Sequence, residues 1–186
     1  KKAGGGPGKG GAETDRRSIR NNYKPGGKKM ETIQDVPILL RREIEALMVA
    51  PFLDAFAKEL GESRTMEIAR EVIAKLARQS GAEAAKAVGG NSFEHFKMTQ
   101  VNFQKGDAMD AKITIAEDDS CMHMDVTRCE YVKMYERLGL RELGGILSCE
   151  RDSAFYEGFN PDVQFSRPNT IMAGDEACNF CMKKRE

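Results

Sequence analysis

Cys149 and Asp152 are three residues apart in the segment 147–152, a spacing with chemical potential. If this segment is helical, residues i and i+3 lie on the same side, so the thiol and the carboxyl group are neighbours. A cysteine thiol is a nucleophile, and an adjacent carboxylate can exchange its proton. We therefore take Cys149 and Asp152 as the leading candidates for a catalytic pair.

Two further cysteines, Cys129 and Cys178, are candidates for the same site. Thr127 and Glu130 have the spacing of a capping box, which predicts that Cys129 lies near the second position of a helix. Unpaired backbone N–H groups and the helix dipole at such a position favour the thiolate. Packing is the alternative interpretation of each single cysteine, because free Cys is among the most buried residue types.

Three charged side chains are candidates for substrate binding. Arg128 and Arg151 could each hold a carboxylate through two hydrogen bonds, although solvated arginines are common. His123 shares one face of a predicted strand with Cys121 and Asp125, and these are metal-ligand side-chain types. A solvated strand face is the alternative explanation of this pattern. We take His123 as a candidate for substrate binding and not for metal binding.

Cys178 and Cys181 have the C-x-x-C spacing of zinc and redox motifs. They fall on a predicted strand with Cys178 and Phe180 on one face and Cys181 on the other, and no second pair accompanies them. We therefore expect no cofactor, with zinc or iron as the alternative.

Helical spacing dominates the first half of the chain. A helix is predicted from about Asp35, with Pro37 near its first position, Pro51 as a kink or restart, Gly61 as a stop and Ser63 as the next cap. Its predicted core stripe comprises Leu40, Ile44, Leu47 and Met48. The next helix is predicted to reach about Gln79, with its stripe formed by Met66, Ala69, Ile73 and Leu76, widened by Ile68 and Val72.

A further helix is predicted from Asn91, burying Phe93 and Phe96, before the period changes to that of strands. Residues 111–116 and 121–126 predict a hairpin in which Met122, Met124 and Val126 share a face. Later strands are predicted at 163–171 and 177–182. The fold class is therefore α+β, a helical N-terminal half followed by a small antiparallel sheet with a helical insertion.

Length and charge indicate one domain with a separate leader. The first thirty residues hold nine Lys or Arg and two acidic side chains, a net charge of +7. Since the chain balances 29 basic against 29 acidic side chains, the other 156 residues carry −7. We interpret residues 1–30 as a disordered basic leader with a cloning scar, and residues 31–186 as a single α+β domain. An acidic body argues against nucleic acid as a partner.

The five cysteines, an odd count, argue against a disulfide scaffold and favour a reduced, cytoplasmic setting. The longest apolar stretch, around residues 44–56, is interrupted by Glu45, Pro51 and Asp54, so no membrane span is expected. A small-molecule substrate is the expected partner, and a homo-oligomer is compatible with the sequence.

The stretch from Met124 to Phe180 resembles the L-2-amino-thiazoline-4-carboxylic acid hydrolase family. The resemblance is carried, in order, by residues 125–131, 138–140, 142–144, 148–152, 157–161, 170–174 and 178–180. Family members often carry Asp at the position of Asn179, which leaves an acidic role there unsupported in this chain.

The resemblance implies a hydrolase that opens a small heterocycle. Water adds at the amidine carbon of the thiazoline, sulfur leaves, and an N-carbamoyl cysteine results. A compatible mechanism has Cys149 attacking that carbon and Asp152 moving the proton, while Cys129 and Cys178 line the pocket or assist.

A second hypothesis is a domain that binds a small molecule or a metal without turnover. The glycine turn at Gly174 followed by Cys178-x-Phe180 is similar to vinyl-reductase-type small-molecule-binding domains. In such domains cysteines line a cavity without acting as nucleophiles. An enzyme should contain one thiol that reacts fastest with iodoacetamide, with a pKa below the free value of about 8.5, and should lose activity when that residue becomes Ser. A binding domain should keep its ligand after the same substitution.

Overall fold

The computed structural model describes residues 35–103 and 107–185 of the chain, so the predicted leader, residues 1–30, lies outside the described residues. Within these residues, three helices come first in the sequence, and the strands follow them. The helices are α1 (Ile38–Leu60), α2 (Glu62–Val88), α3 (Phe93–Phe103), α4 (Glu130–Arg137), α5 (Arg141–Gly144) and α6 (Arg151–Phe159). The strands are β1 (Met109–Ile115), β2 (Cys121–Cys129), β3 (Val163–Ser166) and β4 (Cys178–Lys184).

The strands form one sheet in the order β1-β2-β4-β3, and all neighbours are antiparallel. A π-helical turn (Gly145–Cys149) joins α5 to α6, and a 3-10 turn (Ile171–Ala173) precedes β4. The helices α4 to α6 are inserted between β2 and β3. The predicted α+β class, the hairpin of β1 and β2, and the helical insertion are therefore confirmed.

One face of the sheet is buried and the other is open. On β2, Met122, Met124 and Val126 are buried, whereas His123 and Asp125 are exposed, as the period-2 pattern predicts. Phe180 and Met182 of β4 extend the buried face. Against it pack the aromatic side chains of the helices, namely Phe93, Phe96, Tyr156 and Phe159.

Helices α2 and α6 approach each other closely at two glycines. A Cβ added to Gly81 would lie 2.1 Å from the Phe155 carbonyl oxygen, and one added to Gly158 would lie 2.0 Å from the Arg78 carbonyl oxygen. No side chain fits at either position, so the two glycines allow backbone to meet backbone. This contact packs the C-terminal half of α6 against the C-terminal third of α2.

Several predicted helix boundaries are wrong. Pro51 does not restart a helix but lies inside the continuous α1, with buried Ala46, Ala50 and Leu53 on both sides of it. Gly61, with φ of 80°, ends α1 as predicted and also precedes α2, so Ser63 is not the cap. Helix α2 extends to Val88, past the predicted end at Gln79.

The predicted core stripe of α1 is also wrong. Leu40, Ile44, Leu47 and Met48 are 44%, 54%, 54% and 63% exposed. Helix α1 instead buries Ile38, Ala46, Ala50 and Leu53, a face with smaller side chains. Apolar spacing shows which residues share a face of a helix. It does not show which of these faces packs against the rest of the chain. Within residues 35–103 and 107–185, no helix is long and apolar enough to cross a membrane.

Candidate active site

A cavity of about 320 Å³ lies between the buried face of the sheet and the helices α1, α2, α3 and α6. Its lining includes Cys129, Cys149, Asp152 and Cys178. The structure thus brings the four side chains predicted as catalytic into one cavity, from four different elements. The volume is within the range of small-molecule sites.

A β-bulge directs Cys129 into this cavity. In the pairing of β1 with β2, Asp110 lies opposite Arg128 and Ala111 opposite Val126, so Thr127 is an extra residue. The extra residue shifts the inward and outward alternation by one position. Cys129 therefore joins the cavity lining, whereas Arg128 turns outward. Thr127 lies within β2 and not at a helix cap, which corrects the predicted capping box.

A π-helical turn and the helix after it position Cys149 and Asp152. Cys149 is the last residue of the turn, and Asp152 lies in the first turn of α6. Single π-helical turns occur often at functional sites, because they rotate the side chains that follow. Cys178 reaches the cavity from the sheet, where it is paired with Val126.

Asp152 carries an ion pair that sequence reasoning missed. Nη1 of Arg167 donates a hydrogen bond to Oδ2 of Asp152. Only 12% of the Arg167 side chain is exposed, and its guanidinium lies 5.3 Å from the ring centroid of Phe180. Arg167 follows β3 in an irregular segment. No spacing in the sequence relates it to Asp152, so no local signal could have identified it.

The Asp152 carboxyl group is poorly hydrated despite having accessible surface. About a third of its side chain, 35%, is accessible, and the residue lines the cavity. Burial raises the pKa of Asp152 to about 6, against the opposing effect of Arg167. A carboxyl group with a pKa near neutrality can both accept and return a proton.

The surroundings of the three cavity thiols favour the protonated form. Burial, followed by the charge of Asp152, raises the pKa of Cys149 to about 12. Burial also raises the pKa of Cys129 and of Cys178. For Cys129 the backbone N–H groups of Val132 and Tyr131 act in the opposite direction, as expected at the start of α4, but burial outweighs them.

Arginines give the cavity a positive wall. Arg41, Arg42, Arg151 and Arg167 line it, and Asp152 is the one acidic residue in the described lining. Arg42 and Arg151 both face Glu45, with 3.9 Å between Nη1 of Arg151 and Oε2 of Glu45. Nε of Arg41 and Nε of Arg167 are buried without hydrogen-bond partners in the described residues, as is Oη of Tyr156.

Unpaired buried donors of this kind are rare, because each costs free energy unless a ligand or water satisfies it. A cavity lined by such donors is suited to an anionic group. Of the predicted substrate-binding residues, Arg151 lines this cavity, and Arg128 and His123 do not.

Arg128 and His123 lie on the outer surface of the sheet. The Arg128 guanidinium pairs with Asp107, Asp110 and Glu130 at N–O distances of 2.5 to 2.8 Å. Nε2 of His123 lies 3.8 Å from Sγ of Cys121. The bulge turns Arg128 outward, and the strand alternation does the same for His123, so neither reaches the cavity from its position.

The side chains considered as metal ligands under the alternative interpretation do not form a group. In the described parts of the chain, no three His, Cys, Asp or Glu side chains form a group suited to a metal ion. Cys178 is buried on the inner face of β4, whereas Cys181 is paired with His123 on the outer side. The two cysteines of the C-x-x-C spacing therefore point to opposite faces of the sheet.

The fold and the cavity define an α+β protein with an arginine-lined cavity against the buried face of its sheet. A model of the L-2-amino-thiazoline-4-carboxylic acid hydrolase family matches residues 41–182, about three quarters of the chain. The chain therefore belongs to this family, and the resemblance seen in residues 124–180 extends over the long helices. No curated protein sequence matches the chain.

Two solved structures resemble this chain at low sequence identity. A trafficking protein particle complex subunit 3 from Naegleria fowleri, covalently bound to palmitic acid, matches with a TM-score of 0.50 and 10% identity over 79% of this chain and 96% of that one. The phenol-responsive sensory domain of the transcription activator PoxR, with phenol, matches with a TM-score of 0.46 and 11% identity over 79% of this chain and 76% of that one. At 10% identity, the first likeness shows the fold alone.

Proposed function

We propose that the protein is a hydrolase that opens a small, carboxylate-bearing heterocycle of the amino-thiazoline type in this cavity. The observation that carries the proposal is the meeting of Cys149 and Asp152 in one cavity with an arginine wall. Membership of the family supports the hydrolase class. The cavity supplies a nucleophile, a proton carrier and an anion-binding wall together.

The charges of the site match a substrate with a carboxylate and an amidine. The carboxylate would bind Arg41, whose Nε lacks a partner, with Arg42 and Arg151 nearby in the same lining. The basic amidine would lie beside Asp152. A positive charge placed there lowers the pKa of the Cys149 thiol, because it offsets the negative charge of the carboxylate. Substrate binding thus activates a thiol that is protonated in the resting protein.

The reaction then proceeds in two additions at the amidine carbon. Sγ of Cys149 attacks this carbon while Asp152 accepts the thiol proton. The bond from the carbon to the ring sulfur breaks, and Asp152 returns the proton to the departing sulfur. One water molecule next adds to the same carbon, the Cys149 thiol leaves, and the N-carbamoyl cysteine is released. Cys129 and Cys178 line the cavity around these atoms.

The test is turnover of 2-amino-thiazoline-4-carboxylate by the wild type and by Cys149→Ser, with the carbamoyl product measured by mass spectrometry. We expect Cys149→Ser to lose nearly all activity, and Cys181→Ser, which alters a thiol on the outer face of the sheet, to retain it. Full activity of Cys149→Ser would refute the nucleophile, and absence of turnover in the wild type would refute the substrate.

A second candidate function is binding without turnover, and the raised pKa of all three cavity thiols favours it. A structure of the same fold is covalently bound to palmitic acid, which shows that this fold can hold a small molecule. In that case Cys149→Ser retains the ligand-induced rise in melting temperature. A rise that persists while the wild type shows no turnover would favour the binding function.

A further inference from the structure

The side of α1 that faces away from the core carries a row of large apolar side chains at intervals of four residues. The row comprises Leu40, Ile44, Met48, Phe52, Phe56 and Leu60, which are 44% to 63% exposed. Leu47 lies beside it with 54% exposure. Side chains at i, i+4, i+8 and so on form a ridge inclined to the helix axis. We name this row of six the α1 ridge.

The α1 ridge is too large and too continuous to be ordinary surface. Phe52 and Phe56 contact each other, with ring centroids 6.4 Å apart. On the neighbouring helix, Val72 and Leu76 are also about half exposed. At roughly half exposure, these side chains together leave on the order of 800 Å² of apolar surface, above the roughly 300–600 Å² of the largest patch on a typical monomer.

We propose that the α1 ridge is the interface with a second copy of this chain, related by a two-fold axis. The commonest packing of two helices interdigitates the i±4 ridges of both, and a ridge of this kind is complementary to a copy of itself. A two-fold interface uses the same patch on both subunits. The available area, about 800 Å² per chain, equals what a stable interface buries on each partner.

The first 34 residues of the same chain are a poorer occupant. Their large apolar side chains are Ile19, Tyr23, Met30 and Ile33, four against the six of the ridge and its neighbours. Glycine and basic residues make up most of the remainder of that segment. Such a composition cannot fill an apolar ridge of this length.

A membrane surface is also a poorer occupant. Helix α1 carries Glu43, Glu45, Asp54 and Glu59 against Arg41, Arg42 and Lys58. Helices that lie on anionic membranes are rich in Lys and Arg on their polar face. The acidic excess on α1 favours a protein partner instead.

The interface has a consequence for the cavity, although it does not depend on the proposed function. Ile38, Arg41 and Arg42, on the opposite side of α1, line the cavity. A partner that fixes the position of α1 therefore also fixes the position of these cavity-lining side chains. The two faces of one helix serve the dimer and the site respectively.

The test is the mass of the full chain in solution, by sedimentation equilibrium, for the wild type and for Met48→Glu/Phe52→Glu. We expect the wild type to be a dimer at micromolar concentration and the double variant to associate roughly a hundredfold more weakly. Both residues are more than half exposed, so the circular dichroism spectrum should not change. Met98→Glu, on α3 and 57% exposed, is the matched control and should stay dimeric.

A second variant covers the case in which charge disrupts the fold. Met48→Cys, near the middle of α1, should give a covalent dimer on mild oxidation, whereas Met98→Cys should not. A monomeric wild type would overturn the proposal. So would a dimer that survives the double substitution, dimerisation that appears only when Ile19, Tyr23, Met30 and Ile33 are changed to Ser, or ridge-dependent binding to vesicles of anionic lipid.

Discussion

Asp152 and Cys149 share one poorly hydrated cavity, and only one of them is readily ionised there. The pKa of about 6 makes Asp152 the group that is charged at neutral pH, and its charge contributes to the pKa of about 12 for Cys149. A proton on Asp152 removes that charge and favours the thiolate. The two groups are therefore coupled, because the charge of Asp152 affects how readily the Cys149 thiol ionises.

The first prediction concerns the pH dependence of turnover. If Asp152 is the base, kcat/KM of the wild type rises as the pH increases through about 6, because the ionised carboxylate is the active form. Asp152→Asn removes this rise and lowers kcat/KM by roughly a hundredfold or more. Activity that falls with increasing pH in this range, or a rise that persists in the Asn variant, would contradict the role.

The second prediction concerns thiol reactivity. Because the pKa of Cys129, Cys149 and Cys178 is raised, iodoacetamide at neutral pH should modify them more slowly than Cys121 and Cys181. Mass spectrometry of peptides after short exposure gives the order, with the guanidinium-unfolded protein as the control in which all five react alike. Fastest labelling at Cys149 would show that the resting thiol is already activated.

At the scale of elements, the contact of α2 with α6 determines where Asp152 lies. Our third prediction is that Gly158→Ala destabilises the protein by about 3 kcal/mol or more, since its Cβ would lie 2.0 Å from backbone. Gly145→Ala is the matched control, because no atom lies within 4 Å of its added Cβ. Urea denaturation measures both. Equal stability of the two variants would mean that the helices separate at little cost.

The sequence predicts elements well where one period dominates. The alternation in β1, β2 and β4, and the burial of Phe93 and Phe96, follow from side-chain spacing and are observed. Helix α2 extends beyond its predicted end. Gly81 has the residue type of a helix C-terminal signal, but it lies inside α2 and allows the backbone of α6 to approach closely. This contact depends on a helix that is distant in the sequence, so the local spacing of residues cannot predict it.

The sequence predicts which residue types form the candidate site, but it does not predict how they are arranged in space. Cys149 with Asp152 is a local pattern, but the inward turn of Cys129 depends on the bulge at Thr127, which requires the pairing with β1. Arg167 reaches Asp152 through the tertiary fold alone. Arg128, next to Cys129 in the sequence, is turned outward by the same bulge.

At the scale of the whole molecule, ligand binding and stability are linked. Our fourth prediction is that 2-amino-thiazoline-4-carboxylate raises the melting temperature, corresponding to about 2.7 kcal/mol at a concentration 100 times Kd. Arg41→Gln should weaken this effect, because it removes one of the unpartnered donors from the cavity. Arg128→Gln, on the outer face, should leave it unchanged. An equal effect of both substitutions would contradict the arginine wall as the anion site.

The position of β4 in the sheet has a consequence for biosynthesis. β4 lies between β2 and β3, and Met122 of β2 is paired with Met182 of β4, sixty residues later. Both methionines are fully buried, so a nascent chain that has not yet emerged to Lys184 leaves this apolar surface of β2 open. The sheet therefore closes only after β4 has been synthesised. Until then the edge of β2 that pairs with β4 is open to association with other chains.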